Sequence, residues 1–438
     1  MAIFSKEEAR KILEKALSFS TADACVVNLG GSQGGNIRYA RNSVSTAGYQ
    51  SNQSLAVTAS FGKRSGTATI DELDDASLKK VVQRAEELAK LSPENPEYME
   101  PLGPQQYDES KTFVEATANI TPEYRAEVAN SSITPAKTKD VTAAGFLEDG
   151  QGFSAMMNSN GLFAYNKSTD VSFTVTMRTN DGTGSGWVTR DYNDINKFDS
   201  SEASQVAIDK AVMSRQAKAI EPGKYTVILE PSAGLGLLQG LGRSLNARSA
   251  DEGRSFMSKE GGGTKLGEKI VDERVNLWSD PLNDEVPAAT WNGAGQPLKK
   301  TTWIENGTVK NLAYGRYWAK EKGVEPVPFP SNFIMGGGDA SLDDLIKSTR
   351  KGILVTRLWY IRSVDPQTLL YTGLTRDGTF YIENGKIKYP VKNFRFNESP
   401  IIMLNNLETL GKQVRVDGSL IPYMKVRDFT FTSLSDAV

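Results

Sequence analysis

The stretch Gly234-Leu235-Gly236-Leu237-Leu238-Gln239-Gly240 follows a strand-like run and opens a helix-like one. Glycines placed there can admit a pyrophosphate to a helix N-terminus, where unpaired backbone N–H groups favour an anion. The spacing is G-x-G-x-x-x-G, and no second strand ending in an acidic residue follows, as a dinucleotide site would need. Close packing of a glycine-bearing helix against a sheet is the better reading. Gly261-Gly262-Gly263 and Gly336-Gly337-Gly338 could form anion nests. A simple turn suits the first better, and the second precedes a helix cap.

Acidic pairs stand at Asp74-Asp75, Asp251-Glu252, Asp272-Glu273 and Asp343-Asp344. Adjacent acids do not share one face of a helix or strand, so a solvated face or a helix N-terminus explains them better than paired-carboxylate hydrolysis. Cys25, within Ala24-Cys25-Val26-Val27, reads as a small core residue rather than a nucleophile. Arg357, Trp359, Tyr360 and Arg362 follow the run Lys351-Gly352-Ile353-Leu354-Val355. Strand alternation would set Arg357 with Trp359 on one face and Tyr360 with Arg362 on the other. Such a strand could line a peptide groove; an amphipathic sheet face explains it equally well.

No histidine occurs among the 438 residues. Imidazole is therefore absent as general base, as nucleophile activator and as metal ligand. Every zinc site that needs histidine goes with it. The single cysteine excludes an internal disulfide framework. Net charge is -2, with both signs interspersed, so no basic field draws the chain to nucleic acid or anionic lipid. No apolar run is long enough to cross a bilayer. The start, Met1-Ala2-Ile3-Phe4-Ser5-Lys6-Glu7-Glu8, lacks the basic-then-apolar order of a signal peptide. A cytoplasmic protein is the expectation.

The elements that must position these residues fall into two textures. Ser5 and Glu8 form a capping box ahead of Ile12, Leu13 and Leu17. Strand-like runs follow at 24–29, 36–41, 54–61 and 66–70, then a helix over 73–91. Thr121-Pro122-Glu123 starts another helix, with proline at its first turn. Strand-like runs at 141–147, 152–157, 162–165, 171–179 and 186–190 and a helix over 201–219 repeat the order. Helix, strands, helix thus occurs twice, as in a structural duplication. After Pro222-Gly223, Asn-Gly turns at Asn306-Gly307 and Asn384-Gly385 mark antiparallel hairpins. The expected fold class is α+β. An α+β domain over 1–220 carries the duplicated unit, and a β-rich, barrel-like domain with a few helices covers 221–438.

The C-terminal half resembles the TldD/PmbA family of metallopeptidases. The resemblance runs through Pro222-Gly223-Lys224-Tyr225, Leu266-Gly267-Glu268-Lys269-Ile270, Gly295-Gln296-Pro297, Ile304-Glu305-Asn306-Gly307, Lys351–Val355, and Ile382-Glu383-Asn384-Gly385-Lys386 with Pro390-Val391-Lys392. Arg38-Tyr39-Ala40-Arg41-Asn42 and Gly62-Lys63-Arg64-Ser65-Gly66 extend it into the first half. The family implies a bilobal protein whose active members carry HExxxH on the helix after the P-G-x-Y strand. There the histidines hold zinc and the glutamate activates water. The corresponding residues here are Gln239, Gly240 and Ser244, so neither the ligands nor the base is present. The family's distal cysteine ligand is also missing, and an acidic pair that often precedes G-x-P is Gly293-Ala294.

The TldE/PmbA branch lacks the zinc motif too and pairs with TldD. The resemblance therefore implies a non-catalytic subunit that supports proteolysis of small unfolded peptides. No catalytic or metal-binding residue and no cofactor is expected in this chain; zinc belongs to an HExxxH partner. Homo- or heterodimers are expected, without direct contact to nucleic acid or membrane. One alternative is a self-standing hydrolase using Ser244, Ser255, Lys259 or Glu252 near the altered helix. Another is a homodimeric peptide-binding or scaffold protein.

Overall fold

The computed structural model describes residues 3–435. Met1 and Ala2, part of the N-terminal reading above, lie outside the described residues, as do Asp436, Ala437 and Val438. The chain folds as a mixed α+β structure around two sheets. The first is a six-stranded antiparallel sheet of order β3-β2-β1-β4-β5-β6. Its strands are β1 (Ala24–Ala40), β2 (Ser43–Phe61), β3 (Arg64–Ile70), β4 (Val141–Asn158), β5 (Phe163–Thr179) and β6 (Ser185–Tyr192). Four helices pack against it: α1 (Lys6–Leu17), α2 (Asp75–Leu91), α4 (Pro122–Thr138) and α5 (Ser200–Met213), with the short α3 (Glu115–Ala118) before α4.

Helix–three strands–helix occurs twice, and the two units meet where β1 pairs β4. Gln33 faces Gln151 there, and Gly34 faces Gly150. The same device docks the last helix of each unit. A side-chain carbon added at Gly66 of β3 would stand 2.2 Å from the Ala89 nitrogen of α2. One added at Gly186 of β6 would stand 2.2 Å from the Ala207 oxygen of α5. Each glycine lets a helix sit directly on its strand.

The strands are longer than their hydrophobic patterning indicates. The runs 24–29 and 36–41 are one strand that continues through Gly30-Gly31-Ser32-Gln33-Gly34-Gly35. The runs 141–147 and 152–157 likewise merge in β4, and 162–165 and 171–179 nearly so in β5. Glycine and polar residues normally mark loops. Here they sit where a carbon at Gly34 would strike the Asp149 carbonyl, and one at Gly35 the Arg125 guanidinium. Buried Arg125 in turn holds Asp149, with Nε donating at 2.6 Å and Nη2 at 2.8 Å. The helix expected over 201–219 stops at Met213, where Ser214 closes the last turn.

The second sheet uses β7 (Lys224–Leu229), β8 (Leu277–Ser279), β9 (Thr301–Glu305), β10 (Thr308–Val309), β11 (Ile334–Met335), β12 (Lys351–Val355), β13 (Leu358–Asp365), β14 (Leu370–Thr375), β15 (Thr379–Glu383), β16 (Lys386–Pro390), β17 (Phe394–Glu398), β18 (Leu407–Val416) and β19 (Ser419–Leu434). Its path runs β10-β9-β8-β11-β19-β7-β12-β15-β16, with β18 and a β13-β14-β17 branch joined through β19. It branches rather than closing as a barrel among the described residues. Helices α6 (Pro231–Ser244), α7 (Ala247–Asp251), α8 (Arg316–Lys322), α9 (Leu342–Lys347) and α10 (Pro400–Asn405) accompany it. Asn306 and Gly307, and Asn384 and Gly385, all take positive φ in their hairpins. No helix of the described residues is long and apolar enough to cross a membrane.

Candidate functional site

Helix α6 starts with Pro231 at its first turn and ends at Ser244. Leu237, Leu238 and Leu241 are fully buried, while Gln239 and Arg243 point outward. Its glycines are contact points. Side-chain carbons at Gly234, Gly236 and Gly240 would stand 2.2 Å from Met424 Cε, 2.6 Å from Ile361 Cδ1 and 2.4 Å from the Tyr371 hydroxyl oxygen. These distances account for the glycines as helix-on-sheet packing. Tyr371, buried on β14, fills the space beside Gly240. Ser244 is buried and donates its hydroxyl hydrogen to the Leu241 carbonyl at 2.7 Å.

Ile361 ties β13 to α6; Trp359, Tyr360 and Arg362 share that strand, and Arg357 just precedes it. Tyr360 breaks simple alternation: it has φ +55° within a bulge between Trp359 and Arg362. The two expected pairings are nonetheless in contact. The Arg357 guanidinium lies 4.5 Å from the Trp359 ring centre, and Arg362 lies 4.3 Å from that of Tyr360. The guanidinium of Arg357 also lies over the ring of Trp187 of β6, 3.9 Å from its centre. Arg357 Nη1 donates to Asp377 Oδ2 at 2.6 Å, and Ser185 Oγ donates to Asp377 Oδ1, also at 2.6 Å. Burial pulls the Arg357 guanidinium below its ordinary pKa, and Asp377 opposes that shift. Asp377, Trp187 and Ser185 were not legible as site residues. Only the Asp377-Gly378 turn signal marks the spot in the sequence.

A cavity of about 370 Å³ lies between the two sheets, beside Asp377, with Thr183, Ser214, Gln216, Thr379 and Val391 on its walls. Away from it, the reactive side chains of the α6 region are engaged locally. Lys259 pairs with Glu268 at 2.8 Å, and Glu252 binds Arg248 and Arg254. Ser255 Oγ accepts from the Met257 N–H. None of them sits within hydrogen-bond reach of Ser244. Cys25 is buried in β1, and burial pushes its thiol pKa up, away from nucleophilic character.

The remaining motifs have structural explanations. Asp74 and Ser341 cap α2 and α9, with Asp344 completing a capping box. Gly337 and Gly338 lie against the backbone of β18, where added carbons would stand 2.9 Å from the Gly411 oxygen and 2.4 Å from the Leu410 oxygen. Gly261, Gly262 and Gly263 all have positive φ in an open turn.

These features define a two-sheet protein with a glycine-bearing helix at its centre and no imidazole near it. Three family models match the chain: PmbA/TldA metallopeptidase domain 1 over 25–89, the central domain over 100–215 and the C-terminal domain over 222–433. The chain belongs to the PmbA/TldD metallopeptidase family.

A metalloprotease of Methanothermobacter thermautotrophicus is 26% identical, over 61% of this chain and 62% of its own length. The metalloprotease PmbA of Escherichia coli O157:H7 is 21% identical, over 97% and 98%. The chain therefore spans less than two thirds of the first of these relatives and nearly all of the second. TldE from Thermococcus kodakarensis superposes with a TM-score of 0.87 at 19% identity, covering 97% of this chain and 99% of that one. A candidate modulator of a DNA gyrase from Thermotoga maritima gives 0.87 at 16%, covering 97% and 100%.

The zinc that a metallopeptidase family implies does not fit the residues present. Gln239 is exposed, the Tyr371 ring occupies the space a side chain at Gly240 would need, and Ser244 is turned back onto its own helix. Among the described residues no group of three or more Asp, Glu, Cys or His is placed to hold a metal ion.

Proposed function

We propose that this chain is a non-catalytic, TldE/PmbA-like member of its family. It supports the processing of small unfolded peptides by a TldD-type partner that carries HExxxH and the zinc. The observation that carries this reading is the 2.4 Å separation between a side chain built at Gly240 and the Tyr371 hydroxyl. The position where active relatives hold the base is filled from the neighbouring strand. The close seat of Tyr371 against Gly240 supports this reading.

In this reading Arg357, Trp359, Tyr360 and Arg362 are the side chains that contact extended peptide. Trp359 and Tyr360 are 41% and 60% exposed, so they offer aromatic faces without further unfolding. The complex works in the cytoplasm, and the chain has no cofactor of its own. The test is reconstitution. The purified chain is mixed with an HExxxH relative from the same cell, and cleavage of an unstructured peptide is followed. The reading expects the mixture to cleave faster than the relative alone and this chain alone to be inert. An unchanged rate, with no complex on co-purification, rejects it.

A further inference from the structure

The cavity beside Asp377 is built from both lobes and from the segment that joins them. Ser185 opens β6, and Ser214 closes the last turn of α5. Asp377 and Gly378 lie in the turn before β15, which Thr379 begins. Ala217 and Val391 supply apolar wall. The joining segment is pinned: Lys218 N donates to Pro390 O at 3.0 Å, and Lys392 N donates to Lys218 O at 2.9 Å. Val391 N donates in turn to Thr379 O at 2.9 Å. The space is therefore preformed, and Ser185, Ser214, Asp377, Thr379 and Val391 are all buried. Its volume of about 370 Å³ falls within the ~300–1,000 Å³ of small-molecule sites, which favour boundaries between domains.

The hydrogen bonds of the walls decide what fits. Four of the hydroxyls that line the space spend their hydrogens inside the protein. Ser185 Oγ donates to Asp377 Oδ1 at 2.6 Å, and Ser214 Oγ to the Ser185 carbonyl at 2.9 Å. Thr183 Oγ1 donates to Asp181 Oδ1 at 3.0 Å, and Thr379 Oγ1 to Thr375 Oγ1 at 3.0 Å. A hydroxyl has one donor and two acceptor lone pairs, so these side chains keep only acceptor capacity. Asp377 adds more of the same. Its carboxylate has about four acceptor positions, of which Ser185 and Arg357 take two. An occupant must therefore bring donors. It gains nothing from positive charge, because Arg357 and Arg376 already stand 2.6 and 3.8 Å from Asp377 Oδ2 and Lys392 also lines the space. An anion would meet the carboxylate and these four hydroxyl oxygens with no hydrogen left to give.

We propose that this cavity binds a small neutral molecule that carries several N–H or O–H donors and one apolar side, a compact amide or polyol. Its donors face Asp377 and the oxygens of Ser185, Ser214 and Thr379, and its apolar side lies on Ala217 and Val391. No residue of α6 or β13 is on the walls, so the inference stands independently of the proposed function.

The test is saturation-transfer nuclear magnetic resonance on the full chain with three probes of similar size: N-acetylglycinamide, erythritol and succinate. Signal is expected from at least one of the two neutral probes and none from succinate. Signal from the amide alone makes the occupant an amide, and signal from erythritol alone makes it a polyol. Two variants plug the space from its less buried positions, Ala217→Trp and Thr183→Trp. Each should lose the signal while its circular dichroism and melting midpoint match the wild type. The second keeps the test open if the first misfolds. No signal from either neutral probe, a succinate signal equal to theirs, or a signal that survives in a folded plug variant would each overturn the proposal.

Discussion

Gly240 and Tyr371 are separated by more than a hundred residues, yet neither can change alone. Replacing Gly240 with alanine puts a methyl group 2.4 Å from the tyrosine oxygen and 2.6 Å from its ring carbon. Overpacking of this kind destabilises by about 1–3 kcal/mol. Gly240→Ala should therefore unfold at lower urea. Combined with Tyr371→Ala, it should cost less than the two single changes summed, a coupling of ~1 kcal/mol readable in a double-mutant cycle. Independent, additive effects would show that the ring does not occupy that space.

A second residue-scale expectation concerns acid stability. The Arg274 side chain, donating through Nε and Nη2, holds the Asp272 carboxyl at about 2, below its ordinary 3.8. The folded state then binds this proton more weakly than the unfolded state. The stabilisation, no more than about 1 kcal/mol for a pair screened by solvent, is complete above the ordinary value and is lost as pH falls towards 2. Asp272→Asn should lower stability at pH 7, measured by urea unfolding, and should flatten its decline between pH 4 and pH 2.

At the scale of elements, the last helix of each repeated unit rests on a strand glycine. Gly66→Val and Gly186→Val each drive a side chain into helix backbone that cannot yield without moving the helix. Each should cost at least ~2 kcal/mol by thermal or urea unfolding, whereas Gly103→Ala, with open space around it, should stay within ~0.5 kcal/mol. Equal effects at all three positions would mean that the glycines are not docking points.

The sequence made many of these elements legible. The capping box at Ser5, the helix cap after Gly336-Gly337-Gly338, the Asn-Gly turns and the repeated helix–strands–helix order are local signals, and each has its counterpart in the structure. The length of β1 and β4 was not legible, because a strand interior of glycine, serine and glutamine has the composition of a loop. Those residues become strand because they are paired on both sides, β1 with β2 and β4, and β4 with β1 and β5. The tyrosine beside α6 was hidden for a related reason. Tyr371 reaches Gly240 through the pairing of β14 with β13 and β17, which no local pattern encodes.

For the molecule as a whole, the two lobes are joined by polar contacts and by the packing of Met156, Leu162 and Ala164 against Trp291. Asp191 of β6 accepts from Arg415 Nε at 3.0 Å and from the backbone N–H groups of Asp417 and Gly418 at 2.6 and 2.9 Å. Arg248 grips Glu97 with both terminal nitrogens, at 2.8 and 2.7 Å. Asp191→Ala leaves Arg415, 11% exposed, without its carboxylate. Losing one partner of a largely buried pair should cost about 2–4 kcal/mol and make the lobes unfold less cooperatively in calorimetry. A transition unchanged in midpoint and width would show that the lobes are held by other contacts.

The central claim is that this lineage's hydrolytic zinc centre has been replaced by packed side chains. Its most direct test is the metal content of purified chain equilibrated with zinc and then dialysed, measured by inductively coupled plasma mass spectrometry alongside a peptide digest with and without chelator. The account predicts zinc at background and no chelator-sensitive cleavage. A full equivalent of retained zinc, with cleavage that the chelator abolishes, would contradict it.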